Sequence, residues 1–242
     1  MKKFKAKLEK ITQLTSDVFH YDFSYVDEAV GFKPGQFYML EVNDGQKPPL
    51  KRSYSVASEP NEKGFGLSIK LVAEGRGSDY LRKVKEGDVL DFMGSFGHFM
   101  LQDSPKDVVL ICTGTGIAPF LGMIPQALKS DPNKKVYLFF GTSYESGLLY
   151  QKELMNWEKN PNFKAISTVS RPGEEWTGPT GRVQDHIMKS EIDFANSKFY
   201  ICGVGDMVVD VRQLLLEQGV SKEDVHFEQY TPATQLLGIG SK

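Results

Sequence analysis

The chain has 242 residues, 40% of them hydrophobic and 25% charged, with a formal net charge of −2. That is apolar material for one large core or two smaller ones, and the charge balance leaves no basic footprint for nucleic acid or an anionic membrane. No stretch approaches the roughly 18 apolar residues of a membrane span. No apolar signal segment follows the basic start Met1-Lys2-Lys3-Phe4-Lys5-Ala6-Lys7, so the expected location is cytoplasmic. The two cysteines, Cys112 and Cys202, each close an apolar run, which argues against a disulfide framework. They are also too few for an all-cysteine iron–sulfur cluster, no metal site is expected, and any redox centre must be an organic cofactor.

The first half reads as antiparallel β. Residues 4–12 and 18–25 alternate, and in the second segment Phe19, Tyr21, Phe23 and Tyr25 fall on one face. Pro34-Gly35 turns the chain into a strand over 36–42, and Asn43-Asp44-Gly45 with Pro48-Pro49 marks a loop. Strands follow over 51–58 and 66–73. Gly75-Arg76-Gly77-Ser78 leads into Asp79-Tyr80-Leu81 as a glycine turn whose serine is placed to cap a short helix, and 87–93 is one more strand. Period two sustained over several strands predicts a barrel or sandwich. The polar segment Asp103-Ser104-Pro105-Lys106-Asp107 marks a boundary, giving domains 1–103 and 104–242.

The second half changes period. Residues 108–112 are continuously apolar, as in a strand buried on both faces of a parallel sheet. The run breaks into Thr113-Gly114-Thr115-Gly116-Ile117-Ala118-Pro119, and Pro119 suits the first turn of a helix carrying Phe120, Leu121, Met123, Ile124, Ala127 and Leu128 at helical spacing. Strand, glycine turn and helix in this order form a place where an anion such as a diphosphate can meet backbone N–H groups. Further strand-like runs at 136–140, 163–169, 199–202 and 225–227 alternate with helical stretches at 148–157, 183–189 and 207–218. Alternation of this kind predicts a parallel sheet covered by helices on both sides, with ligands beyond the carboxyl ends of the strands. Those ends carry residues 113–118, Gly141-Thr142, Ser170-Arg171, residues 203–207 and Glu228-Gln229-Tyr230.

Four motifs stand in order along this frame. Arg52-Ser53-Tyr54-Ser55 fits an Arg-x-Tyr-Ser flavin motif and Gly75-Arg76-Gly77-Ser78 a flavin-diphosphate turn. Gly114-Thr115-Gly116-Ile117-Ala118-Pro119 fits a nicotinamide-nucleotide turn, and Cys202-Gly203-Val204-Gly205-Asp206-Met207 a late Cys-Gly motif. In this order and at these separations the chain resembles the ferredoxin–NADP reductase superfamily over nearly its whole length. The resemblance implies a β + α/β fold: an N-terminal antiparallel six-stranded flavin-binding β-barrel, then a Rossmann-like parallel sheet with helices on both faces. The change of period supports the same division independently.

Within that resemblance each motif has a physical job. Arg52 brings a planar fork that can grip a phosphate in two places, Tyr54 a flat ring for the isoalloxazine, and Ser55 a hydroxyl near flavin N5. Gly77 and Ser78 would open a short helix at Asp79 toward the phosphates. Ser53, Ile69, Lys70, Leu71 and Arg76 complete the flavin set. Without the resemblance, each of these residues has an ordinary structural reading, Arg52 as a surface salt bridge and Tyr54 as a core tyrosine. The resemblance places Cys202 beside the nicotinamide C4, holding that ring in line with flavin N5 with no covalent intermediate, and Glu228 as an acid near the same centre. Ser55, Cys202 and Glu228 are thus the catalytic set. The tail 231–242 ends without the terminal aromatic that shields the flavin in many members.

For the nucleotide, Ser170-Arg171 fits the Ser-Arg pair of NADPH users and Arg182 adds charge, while Ser143, Glu145 and Trp176-Thr177-Gly178 point to NADH. The balance favours NADPH, held also by Gly141, Thr142, Gly203, Asp206 and Met207. Ser58 and the Gly75 turn fit FAD better than FMN. The expected activity is therefore an FAD-dependent NAD(P)H oxidoreductase. It would pass hydride to FAD and then single electrons to a small protein such as ferredoxin or flavodoxin. Three alternatives stay open: an NADH-dependent reductase component of an oxygenase, a flavin electron-transfer subunit of a larger complex, and a nucleotide-binding module without redox chemistry.

Overall fold

A computed structural model describes residues 2–230; the tail 231–242, where the missing terminal aromatic was noted, lies outside the described residues. The chain divides into two compact units, one running to Leu101 and including Ala118–Gln126, the other comprising Gln102–Ile117 and the chain from Ala127 onward.

The first unit is a six-stranded antiparallel sheet. Its strands are β1 (Lys2–Gln13), β2 (Val18–Tyr25), β3 (Phe37–Val42), β4 (Leu50–Ser55), β5 (Gly64–Lys70) and β6 (Val89–Phe96), in the order β4-β3-β6-β1-β2-β5. The outermost strands β4 and β5 meet at an antiparallel bridge, Val56 to Leu67, so the sheet curls back on itself as a barrel. Period two does the sorting: Tyr21 and Phe23 from β2, Phe65, Leu67 and Ile69 from β5, and Phe92 from β6 fill the interior, with Phe19, Tyr25 and Tyr54 packed at its margin. A short helix, α1 (Arg76–Leu81), follows β5.

Here the structure corrects the reading of Ser78 as a cap. The helix starts at Arg76 behind Gly75, whose φ of 155° no other residue adopts easily, and no side chain caps it. Ser78 lies within the helix, and its Oγ instead accepts the N–H of Val72 at 3.0 Å. That bond helps end β5 at Lys70, short of the 66–73 strand expected, because Val72 N–H is taken by a side chain rather than by a ladder.

The second unit is a five-stranded parallel sheet of β7 (Asp107–Thr113), β8 (Val136–Thr142), β9 (Phe163–Val169), β10 (Ser197–Val204) and β11 (Val225–Tyr230), in the order β11-β10-β7-β8-β9. A 3₁₀ turn, Gly114–Ile117, follows β7, and the helices are α3 (Gln151–Trp157), α4 (Val183–Met188) and α5 (Gly205–Glu217), together with the last turn of α2 (Phe120–Ser130), whose residues up to Gln126 group with the first unit. Pro119 stands immediately before α2, and its carbonyl accepts the Met123 N–H at 3.3 Å, as expected of a residue at the helix start. Val109, Ile111, Phe139, Phe199 and Ile201 on one face of the sheet are covered by Val183 and Ile187 of α4 and by Met207, Val208, Val211 and Leu215 of α5. Val108, Leu110, Leu138, Phe140 and Tyr200 on the other face are buried as well. Burial of both faces explains why these strands read as unbroken apolar runs while those of the barrel alternate. Among the described residues, no helix is long and apolar enough to cross a membrane.

Candidate functional site

The barrel unit gathers one constellation. Arg52 and Tyr54 alternate along β4 onto the same face, and α1 brings Gly77 against them. A Cβ on Gly77 would stand 3.2 Å from Arg52 Cγ and 3.8 Å from the Tyr54 hydroxyl, so a side chain there would fill the space beside the guanidinium. Arg52 donates only to its neighbour's carbonyl, Lys51 O, at 3.1 Å, and makes no ion pair among the described residues. Burial pushes the Tyr54 hydroxyl up to about 12, against the opposing pull of Arg52, so it stays protonated and able to donate. An unneutralised fork, a phenol donor and a bare backbone together suit an anionic group carrying a flat ring.

Arg76 is placed differently. Its Nε and Nη2 each lie 2.8 Å from the two carboxylate oxygens of Asp44, and Nη1 reaches Pro48 O at 3.0 Å. The fork is filled by protein and staples the loop between β3 and β4 to α1. The same hydrogen bond holds the Asp44 carboxyl down at about 2. Of the other expected flavin residues, Ile69 and Leu71 turn into the barrel core, Lys70 is exposed and paired with Asp17 at 3.1 Å, Ser53 is exposed, and Ser55 is buried. Ile69 and Leu71 can therefore offer a ligand only backbone.

The carboxyl end of the parallel sheet gathers the second constellation. A Cβ on Gly116 would lie 2.2 Å from Cys202 O, and one on Gly203 would lie 2.5 Å from Thr113 Oγ1, so the turn after β7 and the end of β10 touch backbone to backbone. Gly114, with φ of 53°, faces open space instead. Thr115 lies in the same 3₁₀ turn and Ile117 is buried behind it, whereas Ala118 and Pro119 group with the barrel unit. Gly141 backs onto Val183 of α4, and the Thr142 hydroxyl closes its own turn by donating to Tyr144 O at 2.6 Å. Met207 is buried in the core, and Asp206 lies in the first turn of α5, where a carboxylate complements the helix dipole.

Cys202 is fully buried, level with Cys112 on β7 and with Glu228 on β11, and both thiols are free. Burial, helped by the Glu228 charge, pushes the Cys202 thiol well up against a smaller effect of a hydrogen bond from Tyr230. Such a thiol stays protonated, a state that does not suit nucleophilic attack. At the end of β9, Ser170 N donates to Thr142 O at 3.0 Å and Arg171 N to Ser143 O at 2.8 Å. Arg171 is exposed, with no ion pair among the described residues, while Arg182 reaches Asp210 only at 3.8 Å. The Glu145 carboxylate, which the sequence offered to a ribose, accepts the N–H of Gly173 and ties down the loop that carries Arg171.

Sequence reasoning missed three residues. Asp44 was seen only as part of a loop, Glu145 only as a ribose ligand, and Ser68 not at all. Ser68 is 6% exposed, and its Oγ has no hydrogen-bond partner. Its one signal is that it is a lone hydroxyl between the apolar residues Leu67 and Ile69. Among the described residues no group of three or more His, Cys, Asp or Glu is placed to hold a metal ion.

Comparison with known proteins adds the following. Residues 5–101 match the oxidoreductase FAD-binding domain family, and residues 110–213 the oxidoreductase NAD-binding domain family. A ferredoxin–NADP reductase B of Sorangium cellulosum is 31% identical over 240 residues, 94% of this chain and 97% of that protein. The electron transfer component of anthranilate 1,2-dioxygenase from Acinetobacter baylyi is 30% identical over 219 residues, 89% of this chain; the alignment spans 63% of that component's length. A crystal structure of a ferredoxin NADP+ reductase from Neisseria gonorrhoeae, with FAD and NADP bound, superposes with a TM-score of 0.84 over 95% of this chain and 99% of that one, at 24% identity, a likeness of fold.

Proposed function

The chain belongs to the ferredoxin–NADP reductase superfamily and is an oxidoreductase with an FAD-binding and an NAD-binding domain; from that premise we propose that it takes electrons from NADPH through FAD and delivers them singly to a small redox protein. The observation that carries this reading is Arg52, a cation without a carboxylate partner among the described residues, beside Gly77 and the protonated Tyr54. The donor set fits a flavin diphosphate: the fork of Arg52 and the Tyr54 hydroxyl would hold it, and Gly77 keeps the space beside them open. Bound there, FAD supplies the conversion of a two-electron donor into one-electron steps. Ser55 would hydrogen-bond the ring, and Cys202 with Glu228 would orient the nicotinamide; the raised affinity of the thiol for its proton keeps it out of covalent chemistry.

NADPH is favoured by Arg171. Its guanidinium is exposed and, among the described residues, in no ion pair, and the loop that carries it is held by Glu145, one of whose carboxylate oxygens accepts the Gly173 N–H. A ferredoxin or flavodoxin is the acceptor favoured by the 97% coverage of the ferredoxin–NADP reductase. The second reading, an NADH-fed reductase component of an oxygenase, is supported by the relationship to the dioxygenase component.

The purified chain should be yellow, or turn yellow with added FAD, and should reduce ferricyanide with NADPH at a lower KM than with NADH. A colourless chain that takes up no FAD defeats the reading. A yellow chain without NAD(P)H-dependent ferricyanide reduction would be an electron-transfer subunit instead.

A further inference from the structure

The segment 170–182 leaves β9 and comes back to lie against its end. An isolated parallel bridge joins Val169 to Thr180, with the Val169 N–H on Pro179 O at 3.1 Å and the Gly181 N–H on Val169 O at 3.0 Å. Arg171 and Arg182 each stand two residues past that bridge, one on each side of it. Trp176, which the sequence set on the side of NADH, serves the return of the chain instead. Its indole N–H donates to Pro179 O at 3.0 Å, and the ring lies so close to Gly178 that a Cβ there would come within 2.3 Å of it.

Two successive peptide groups ahead of Arg182 are each held at both ends. The group joining Thr180 to Gly181 donates its N–H to Val169 O and accepts, at Thr180 O, from His186 Nε2 at 2.9 Å. The group joining Gly181 to Arg182 accepts, at Gly181 O, from the Thr168 hydroxyl at 3.0 Å and donates its N–H to Asp185 Oδ2 at 3.1 Å. A carbonyl only accepts, so the hydrogen of the His186 ring sits on Nε2, and the same nitrogen lies 3.1 Å from Thr168 Oγ1. Thr168 is 1% exposed, and a hydroxyl buried that deeply calls for partners of this kind. Gly181, with φ of 104°, makes the turn between the two groups. The packing of α4 does not explain so much restraint, since Val183 and Ile187 reach the core from the helix itself. The restraint ends on Arg182, whose side chain is 74% exposed and comes only within 3.8 Å of Asp210.

We propose that His186 and Thr168 are positioning residues for the nucleotide: by holding the carbonyls of Thr180 and Gly181 they fix Arg182 across the bridge from Arg171, so that two cations meet the 2′-phosphate of NADPH. The inference rests on the NADPH reading of Arg171. Neither His186 nor Thr168 touches the nucleotide. Each removes backbone freedom before the nucleotide arrives, so less ordering is left to oppose binding. A nucleotide with a 2′-hydroxyl brings no charge for Arg182 to meet, and a held arginine gives it no such advantage.

The test is calorimetric titration of the FAD-loaded protein with NADP+, with the KM for NADH as the control. Arg182→Ala should weaken NADP+ binding by about tenfold, the loss of a charge-assisted contact. His186→Phe keeps a ring and loses the N–H, and Thr168→Val keeps the shape and loses the hydroxyl; each should weaken binding by about fivefold, as for a neutral hydrogen bond. His186→Gln, which has a donor of its own, should recover most of the affinity, and the KM for NADH should shift less in every variant. The deciding readout is the double variant. On an Arg182→Ala background His186→Phe should add nothing, because the group it positions is gone. If His186→Phe does not fold, Thr168→Val carries the same cycle. Additive losses, or losses shared equally by NADP+ and NADH, overturn the proposal and mark His186 and Thr168 as packing residues. Full NADP+ affinity in Arg182→Ala alongside a loss in Arg171→Ala overturns the proposal alone. A loss in Arg171→Ala that falls equally on both nucleotides overturns the NADPH reading and the proposal with it.

Discussion

The two units put the same residue types to opposite uses. In the barrel, glycine and arginine leave something over: Gly77 keeps space beside Arg52, and among the described residues no carboxylate pairs with Arg52. In the sheet, Gly116 leaves nothing over, because the Cys202 carbonyl already occupies the space its side chain would take. The difference shows that a glycine motif is weak evidence for a ligand when the fold itself needs the glycine. A cation left unpaired beside a gap is stronger evidence, since folding alone does not call for it. Arg76, four-square on Asp44, is the control inside the same unit.

The largest effect that tests this comparison is Gly116→Ala. With a backbone carbonyl 2.2 Å from the new Cβ, neither partner can yield, and thermal or urea unfolding should show a loss of about 3 kcal/mol. Gly114→Ala, two residues earlier in open space, meets only the cost of φ 53°, about 1 kcal/mol. Equal losses at the two positions would break the assignment of Gly116 to packing.

Next in size is Arg52→Ala. It should weaken FAD binding by about 1.5–3 kcal/mol, the worth of hydrogen bonds to a charged group, while leaving the unfolding of the FAD-free protein nearly unchanged. Arg76→Ala should reverse the pattern, loosening the β3–β4 loop in the FAD-free protein with a smaller change in FAD affinity. Calorimetric titration of both variants decides between them. Arg171→Ala should remove about 1.5–3 kcal/mol of NADPH binding and spare NADH. An equal loss for the two nucleotides would sink its assignment to the 2′-phosphate.

The smallest effect is a dependence on pH. Asp44 titrates at about 2 when folded, below its unfolded value, so the Arg76 staple contributes fully above the unfolded pKa and is lost as pH falls through the folded one. The wild type should therefore lose barrel stability between about pH 4 and pH 2. Asp44→Asn should flatten that part of the profile, which acid titration followed by near-UV circular dichroism can read.

Much of this molecule was legible as pattern. Period two along 18–25 and the unbroken runs at 108–112 and 136–140 distinguish a surface wetted on one side from a sheet covered on both, and that distinction is written residue by residue. Local choices were less legible. Ser78 looks like a cap in isolation, yet Val72 N–H arrives first and claims its hydroxyl. Pro119 does stand at the head of α2, its carbonyl accepting the Met123 N–H at 3.3 Å, but the 3₁₀ turn over Gly114–Ile117 just before it was not foreseen.

By itself the sequence determined the two fold classes, their order, and the short set of residues from which a flavin and a nucleotide site would be built, because hydrophobic period and glycine spacing act locally along the chain. Only the tertiary structure decided which of those residues are spent on the protein itself. Arg52 and Arg76 are indistinguishable as letters; Asp44, 32 positions from Arg76, fills one fork and leaves the other open. Thr168 became visible for the same reason: the bridge from Val169 to Thr180 sets a silent threonine against the carbonyl of Gly181. Charge compensation and strand register are relations between distant parts of the chain, and no local pattern encodes them.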